Sequence, residues 1–263
     1  MSGLSSLEIP LEKILKNLLL PTFAKQHLCL AEKWEKDGKS HLSYLNELAQ
    51  LEIEHRHQRR ILRMLKQAKL PRNKLMQDFD HTRIPGLPHV KIQTLSQGDF
   101  MDRCENVLIF GNPGTGKTHL SIALAREWCL LGRKVYYTST ATLVQNLLQA
   151  KAQIRLDQFI RKMDNFDILV IDDISYVPYD RQETDVLFTL LAARYEMRSV
   201  LITSNLPFSQ WNTIFKDEMT TAAAIDRLVH HATILELNAE SYRIAEAKKR
   251  TNKKNEGETK MKT

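Results

Sequence analysis

The sequence predicts an α/β domain with a five-stranded parallel sheet, preceded by a small all-α region. From residue 107 onward, short apolar runs alternate with longer helical stretches, which is typical of parallel strands covered on both faces. Before residue 76, leucines recur at helical spacing instead. The chain has 263 residues and is 43% hydrophobic, which is enough to build such a domain and a smaller one.

Three helical segments are predicted at the start of the chain. The first carries leucines at helical spacing and ends before Pro21. The second closes at Gly38, a residue that suits a helix C-terminus, and the third runs from Ser40 to Leu70 with an apolar stripe of helical period. We therefore expect residues 1–75 to form a helical N-terminal domain that binds DNA or a partner.

The remaining boundaries follow from composition. Residues 76–105 contain Pro85, Gly86 and Pro88 and show no long period, so we interpret them as a linker. We expect its Asp78 and Asp80 to be solvated or capping residues rather than a metal pair. Residues 106–247 form the predicted α/β domain. Residues 248–263 are rich in lysine and poor in apolar residues, and we expect them to be a disordered basic tail.

Apolar runs and helical stretches alternate throughout the α/β domain. The predicted strands are 107–110, 135–138, 168–171, 200–203 and 233–237. The predicted helices between them are 118–131, 141–163, 182–196 and 220–230. This order predicts a parallel sheet with helices on both faces.

Charge is distributed unevenly along the chain, whose net charge is +7. Residues 1–100 carry a net +5, residues 101–247 a net −3, and residues 248–263 a net +5. Basic ends around a mildly acidic middle suit a protein that holds a polyanion with its appendages. Solvated basic tails are the simpler interpretation, so charge alone only favours a nucleic-acid partner.

The chain lacks the marks of a secreted or membrane protein. Cys29, Cys104 and Cys129 are scattered and odd in number, without disulfide or metal-ligand spacing, which indicates a reducing compartment. No apolar run reaches transmembrane length, and the first residues do not form a signal peptide. We therefore expect a cytoplasmic protein with no membrane partner.

A dense basic stretch lies in the third helical segment. From Arg56 to Lys74 there are eight Lys or Arg residues and no acid. Helical spacing places several of them on one side, where they could contact phosphates of DNA or RNA. The alternative is a solvated face whose arginine stems cover the edge of a core. The predicted DNA contacts are Arg56, Arg59, Arg60, Arg63 and Lys66.

A glycine-rich loop follows the first predicted strand. The order of strand, loop and helix with Gly-x4-Gly-Lys-Thr spacing predicts a P-loop, whose backbone N–H groups face a bound phosphate. Lys117 supplies a charge for the β- and γ-phosphates, and Thr118 offers a hydroxyl to Mg²⁺. The protein is therefore expected to bind a nucleoside triphosphate. The predicted nucleotide-binding residues are Gly111, Asn112, Pro113, Gly114, Thr115, Gly116, Lys117, Thr118 and His119.

Polar residues end two later strands. Asp172 and Asp173 follow an apolar run, at the strand end where ligands bind in open α/β sheets. Asp172 fits a Mg²⁺-linked position, and Asp173 fits a residue that orients or deprotonates water. Asn205 follows another apolar run and could bind the γ-phosphate or the water. The alternatives are two capping aspartates and a turn asparagine.

Two arginines complete the candidate set. Arg227 lies before the last predicted strand, where it could reach the nucleotide of a neighbouring subunit. The alternative is a surface pair with Asp226. Arg243, just past the last strand, is a further candidate for the nucleotide.

The sequence resembles AAA+ ATPases of the DnaC/IstB branch in the order of five features. These are the P-loop, the strand ending in Asp-Asp, the strand ending in Thr-Ser-Asn, the helix with Asp-Arg-Leu and the Ser-Tyr-Arg segment. The likeness is greater to IstB, the ATPase helper of insertion-sequence transposition, in stretches such as YLNELAQLEIEHRHQRR, ITSNLPFSQW and AAAIDRLVHHATILEL. The resemblance implies that the P-loop binds ATP and that Asp172 and Asp173 are the Walker B pair. It also implies that Asn205 is sensor 1, Arg227 the arginine finger and Arg243 the sensor 2 arginine.

The chain departs from that family pattern at two places. Many relatives have Glu where Asp173 stands, so we expect slow hydrolysis. Asn238, Ala239 and Glu240 stand where the motif before Ser-Tyr-Arg usually has Gly, which weakens the placement of Arg243. About 26 residues follow the last predicted strand, which matches the truncated C-terminal lid of this branch.

The resemblance implies an ATPase that assembles as a homo-oligomer on duplex DNA, with ATP at subunit interfaces and contacts mostly to the phosphate backbone. The assembly would recruit and stimulate a cognate transposase, with DNA-stimulated hydrolysis and Mg²⁺ as cofactor. A DnaC-type replicative helicase loader is the alternative, although few aromatics near the basic stretch argue against stacking on single strands. The second alternative is a non-catalytic scaffold, in which ATP only controls assembly and Asp173 is dispensable. A small-molecule kinase is disfavoured because no acceptor-binding lid is apparent.

Overall fold

The computed structural model describes residues 10–84, 86–174, 179–213, 215, 218–239 and 241–242. The chain divides into two compact units, residues 1–63 and residues 64–263. Among the described residues, no helix has both the length and the apolar character needed to cross a membrane. The predicted tail and Arg243 lie outside the described residues.

The first unit is helical, as predicted. It contains α1 (Leu11–Asn17), α2 (Pro21–Lys36) and the first part of α3 (His41–Ala68). Helix α2 has proline at its first position, and the chain turns at Gly38 with φ 62°. Its small core is formed by Leu30, Trp34 and Leu48, with Phe23, Tyr44 and Leu51 packed against them.

The second unit contains a five-stranded parallel sheet. The strands are β1 (Asn106–Phe110), β2 (Val135–Ser139), β3 (Ile168–Asp172), β4 (Ser199–Ser204) and β5 (Ala232–Glu236). Their order is β2-β3-β4-β1-β5, and every neighbouring pair is parallel. The predicted strands and sheet type are confirmed. The C-terminal ends of β1, β3 and β4 therefore lie side by side at one edge of the sheet.

Helices cover the sheet on both faces. They are α4 (His89–Gln97), α5 (Lys117–Leu130), α6 (Thr140–Ala152), α7 (Leu156–Met163), α8 (Arg181–Arg194) and α9 (Glu218–His230). Alternation along β1 sends Leu108 into a core with α6, α7 and α8, and Ile109 into a second core with α4 and α5. Both faces are buried, which explains why the strands have continuous apolar sequences.

One of the predicted helices is divided into two helices in the structure. The sequence predicts a single helix over 141–163, whereas α6 ends at Ala152 and α7 begins at Leu156. Ile154 adopts a left-handed conformation with φ 55°, and the Arg155 N–H donates to the Ala150 carbonyl. Such bonds satisfy the last carbonyls of a helix, and the break turns Ile160 and Met163 into the core.

The structure also differs from the predicted linker. Residues 76–105 contain α4 and short 3₁₀ turns, and their apolar side chains belong to the core behind β1 and α5. The Trp128 indole donates to the Leu95 carbonyl at 2.8 Å and so ties α5 to α4. Because 3₁₀ turns and a nine-residue helix have no sustained period, the sequence pattern does not reveal this packing. The buried residues from this segment are Phe79, Ile84, Leu87, Ile92, Leu95, Phe100 and Met101.

Candidate nucleotide-binding site

The glycine-rich loop joins the end of β1 to the start of α5. Helix α5 begins at Lys117, directly after Gly116, which has φ 101°. Gly114 has φ 85°, and a Cβ atom there would overlap the Ser241 side chain. Both positions therefore need glycine, Gly116 for its backbone conformation and Gly114 for conformation and space. The loop has the strand–loop–helix geometry of a phosphate-binding P-loop.

Lys117 is held against this loop. Its side chain is buried, and its Nζ donates to the carbonyls of Gly111 at 2.6 Å and Asn112 at 2.9 Å. The ammonium group thus lies beside the backbone that would surround a phosphate. A buried cation at the N-terminus of a helix adds to the positive end of the helix dipole.

Asp172, the last residue of β3, is the centre of a hydrogen-bond network. Its Oδ1 accepts from the hydroxyls of Thr118 at 3.1 Å and Thr203 at 2.7 Å. Its Oδ2 accepts from the Tyr137 hydroxyl at 3.3 Å. The structure thereby brings together Thr118 and Asp172, as predicted. A hydroxyl and a carboxylate oxygen this close are the hard ligands that fit Mg²⁺.

The sequence pattern does not mark Tyr137 and Thr203 as site residues. Burial, the negative charge of Asp172 and the hydrogen bond to it all raise the pKa of Tyr137, so its hydroxyl stays protonated and donates. Thr203 lies on β4, beside β3 in the sheet. Its hydroxyl also accepts from the Asp173 N–H at 2.8 Å. Thr203 therefore connects the two aspartates.

Asp173 and Asn205 are joined directly. Asn205 Nδ2 donates to Asp173 Oδ1 at 2.9 Å. Asp173 has φ 61°, a left-handed conformation that aspartate adopts more readily than most residues. The turn after β3 therefore carries its carboxylate towards the end of β4.

A cleft of about 690 Å³ connects these groups. Residues 113–119 of the loop and α5 line one part of it, together with Asp173, Thr203 and Asn205. The volume falls within the range of small-molecule and nucleotide pockets. Lys117, Thr118, Asp173 and Asn205 thus share one cavity large enough for a nucleotide, whereas Gly111, Asn112 and Asp172 do not line it.

The segment before α4 lines another part of the cleft, and the sequence pattern does not mark it as a functional region. Arg83 stacks over the Tyr242 ring at 5.0 Å, and Phe79 lies 5.6 Å from the His119 ring. His119 Nε2 donates to the Leu75 carbonyl at 2.9 Å, which ties α5 to this segment. The contributing residues before α4 are Asn73, Lys74, Asp78, Phe79, Asp80, Arg83 and Ile84.

Both aspartates of this segment line the cleft, and Asp80 also caps a turn. Asp80 accepts from the Thr82 N–H at 3.1 Å and from its hydroxyl at 2.6 Å, and it caps a 3₁₀ turn as expected. Hydrogen bonds from Thr82 outweigh desolvation and hold the pKa of Asp80 below its ordinary value.

Comparison with known proteins decides the family. The model of the IstB-like ATP-binding protein family matches residues 13–251. The chain belongs to this family. An insertion sequence ATP-binding protein of Sinorhizobium fredii is 42% identical over 231 residues, which cover 88% of this chain and 78% of that protein. The insertion sequence IS21 ATP-binding protein of Pseudomonas aeruginosa is 36% identical over 239 residues, covering 91% and 90%.

Solved structures share the fold of this IstB-like protein. AMPPCP-bound DnaA from Aquifex aeolicus has a TM-score of 0.53 at 18% identity, over 64% of this chain and 51% of that one. DnaI has a TM-score of 0.52 at 18% identity, over 65% and 93%. The DnaC helicase loader has a TM-score of 0.50 at 18% identity, over 56% and 86%. The AAA+ P-loop fold is therefore confirmed, and the chain is an ATP-binding member of it.

Arg227 of this IstB-like protein lies away from the candidate nucleotide cleft of the same chain. It is exposed on α9 and lines a separate cavity with Asn106 and Val200, near the N-terminal ends of β1 and β4. The P-loop follows the opposite end of β1, which is about 13 Å away for a five-residue strand. The structure does not bring Arg227 together with Lys117 and Asp173 in one chain.

The predicted basic face has internal partners. Arg56 Nε donates to Glu52 Oε1 at 2.7 Å, and an Arg59 nitrogen approaches the same oxygen at 3.4 Å. Glu52 is buried and also accepts from the Thr22 N–H at 2.8 Å. Burial raises its pKa, but the hydrogen bonds from Arg56 and Thr22 outweigh burial and lower it. Both arginine side chains stay about half exposed, so they pair with Glu52 on their own helix and also face solvent. Glu52 itself links α3 to α2 through Thr22.

Proposed function

We propose that this protein is an ATPase that assembles on duplex DNA and recruits and stimulates a transposase. The observation that carries the proposal is the meeting of Lys117, the Asp172 network and the Asp173–Asn205 pair around one cleft. Relatives named as insertion sequence ATP-binding proteins support a role in transposition.

The cleft supports phosphoryl chemistry. The loop N–H groups and Lys117 would bind the β- and γ-phosphates, and Thr118 with Asp172 would hold Mg²⁺. When bound, the ion neutralises charge on the phosphate oxygens. Asp173 would orient water and accept its proton, while Asn205 positions the carboxylate. Aspartate is one methylene shorter than the usual glutamate, which supports slow turnover.

The position of Arg227 supports an oligomer. Because Arg227 lies near the opposite strand ends from its own P-loop, it would serve the cleft of a neighbouring subunit. Its planar charge matches the oxygens of a transferring phosphoryl group. ATP would then bind between subunits, and nucleotide state would report assembly.

DNA binding is assigned to exposed basic residues of α3. Arg60 and Arg63 are exposed, and Arg56 and Arg59 remain about half exposed beside Glu52. Phosphate contacts of this kind give salt-sensitive binding with little sequence preference. Lys66, an exposed residue of the second unit, is proposed as a further phosphate contact.

A helicase loader is the second candidate, since DnaC and DnaI share the fold. Both structures are 18% identical to this chain and support the fold alone. A loader would prefer single strands, whereas the proposed ATPase prefers duplex DNA. A scaffold would need Lys117 for assembly but not Asp173.

The deciding experiment measures ATP-dependent binding of the full chain to duplex and single-stranded DNA of one sequence, together with ATP turnover. We expect tighter duplex binding with ATP than without nucleotide, and turnover that duplex DNA stimulates. Strand transfer by a cognate transposase should increase when the ATP-bound protein is added. A preference for single strands without effect on transposase would favour the loader.

A further inference from the structure

Three potential metal ligands meet on the surface away from the nucleotide cleft. Glu196, His230 and His231 each offer one ligand atom, and these atoms all lie within 4.8 Å of one another. Among the residues that the structure describes, this is the only such group of three. Glu196 lies in the turn after α8, and the histidines lie where α9 ends and β5 begins.

A backbone hydrogen bond holds His231 in place. Asn106 N–H donates to the His231 carbonyl at 2.7 Å, which fixes the entry to β5. The rings of His230 and His231 have centroids 4.0 Å apart. Ligands around one tetrahedral ion with bonds of about 2.1 Å are about 3.4 Å apart. The ligand atoms of the exposed side chains lie up to 4.8 Å apart and thus need to close by up to about 1.4 Å, which rotamer adjustment supplies.

A supporting group is already placed. The Tyr195 hydroxyl lies 2.9 Å from His230 Nδ1. If Nε2 binds a metal, Nδ1 carries the hydrogen and donates it to the Tyr195 oxygen. A hydrogen bond of this kind orients a metal-binding imidazole and fixes its tautomer. Tyr195 therefore gives His230 the second contact that metal-bound histidines usually have.

We propose that Glu196, His230 and His231 bind one divalent transition-metal ion of the Zn²⁺ class, with the remaining coordination open to water or another ligand. Two imidazoles and a carboxylate suit Zn²⁺ better than Mg²⁺ or Ca²⁺, which prefer oxygen ligands alone. This site is distinct from the Thr118–Asp172 pair, which lies at the C-terminal end of β3.

The ion would link two turns beside Arg227. His230 and His231 follow Arg227 at spacings of three and four, so they lie near it at the end of α9. Binding Glu196 as well would tie this helix end to the turn after α8. The site would hold the exposed Arg227 region in one conformation, and binding of the ion itself would require neither ATP nor DNA.

Calorimetric titration of Zn²⁺ into the chelator-treated, untagged full chain, without nucleotide or DNA, tests the site. We expect one ion per chain. Glu196→Gln and His231→Ala should each weaken affinity at least tenfold, and Tyr195→Phe about tenfold. The matched control is His57→Gln, because His57 is an exposed helical histidine outside the cluster. The affinity of this variant for Zn²⁺ should equal that of the unaltered chain.

Co²⁺ gives a second readout, since an ion bound to these residues absorbs visible light. The absorption should appear with the unaltered chain and His57→Gln, and disappear with Glu196→Gln. Glu196→Gln keeps side-chain shape at an exposed position, so it tests the proposal even if a histidine variant fails to fold. Lack of stoichiometric Zn²⁺ binding, or equal affinity in Glu196→Gln, would overturn the proposal. Nucleotide binding by the same samples reports on the ATP site separately.

Discussion

Asn205 Nδ2 donates a 2.9 Å hydrogen bond to Asp173 Oδ1, so the residue after β4 positions the carboxylate after β3. The Asp173 N–H donates to Thr203 on the same neighbouring strand. The left-handed turn at Asp173 is thereby held at both its backbone and its side chain. This arrangement aims the carboxylate along the strand ends that border the cleft.

Asp173→Asn should abolish turnover without preventing ATP binding. The change preserves size and removes the group that accepts a proton, so we expect turnover to fall by about 10² or more. Nucleotide titration should give an unchanged affinity. Asn205→Ala should lower turnover less, because it releases the carboxylate without removing it. Full turnover in Asp173→Asn would mean that another group handles the proton and would favour the scaffold.

Tyr137→Phe should raise the Mg²⁺ concentration needed for tight ATP binding. The hydroxyl donates to Asp172 Oδ2, and its loss frees that carboxylate to rotate away from Thr118. The matched control is Tyr136→Phe on the same strand, whose ring packs against Phe166 at 5.2 Å. ATP affinity across a Mg²⁺ series distinguishes them. Equal shifts in both variants would show that Tyr137 acts only by packing.

Gly114→Ala should impair nucleotide binding because the loop cannot keep its shape. Gly114 has φ 85°, and its new Cβ would overlap Ser241. Gly86→Ala is the control, since no atom lies within 4 Å of the place its new Cβ would take and its φ is outside the left-handed region. We expect at least tenfold weaker ATP affinity for Gly114→Ala only, on the scale of about 1.4 kcal/mol or more. Equal affinities would show that the loop relaxes freely.

The sequence correctly predicts which strand ends meet beside the glycine-rich loop. Strands buried on both faces are continuous apolar runs, and parallel strands bring their carboxyl ends to one edge. Asp172, Asp173 and Asn205 therefore meet as expected. The spacing of the P-loop is local, so Lys117 and Thr118 could be placed before any tertiary contact was known.

The sequence does not predict the site residues and the helix break that depend on contacts between distant segments. Tyr137 and Thr203 look like ordinary strand residues until pairing places β3 between β2 and β4. Phe79 and Arg83 lie in or beside 3₁₀ turns without a period, and only packing against the sheet brings them to the cleft. The break near Ile154 is likewise set by how α7 packs, because helical propensity alone favours continuation.

Mixing two inactive variants should restore turnover if Arg227 acts between subunits. Arg227→Ala keeps a complete P-loop, and Lys117→Ala keeps a complete Arg227. A mixed interface then joins an intact cleft with an intact arginine. We expect the turnover of the mixture to exceed that of either variant alone. The control is Arg161→Ala, which removes an exposed arginine of α7 and should retain turnover by itself. A mixture no more active than its parts would assign Arg227 to its own chain.

Arg63→Gln and Arg56→Gln should separate DNA binding from stability. Both residues are exposed on α3, but Arg56 also pairs with buried Glu52. Arg63→Gln should weaken binding to all duplexes and reduce the slope of log affinity against log salt by about 1, with an unchanged unfolding temperature. Arg56→Gln should also lower that temperature. A full salt slope in both variants would leave the arginines a structural role alone.

The stability difference caused by Arg56→Gln should depend on pH. The pKa of Glu52 is lower in the fold, so its ionised form stabilises the folded state above the unfolded value of about 4.3. This contribution is lost as pH falls through the folded pKa. The unfolding temperatures of the unaltered chain and Arg56→Gln should therefore differ most near neutral pH and converge in acid, while Arg63→Gln follows the unaltered chain throughout. A gap that persists in acid would attribute the effect of Arg56 to its packing and its hydrogen bond to the Leu19 carbonyl.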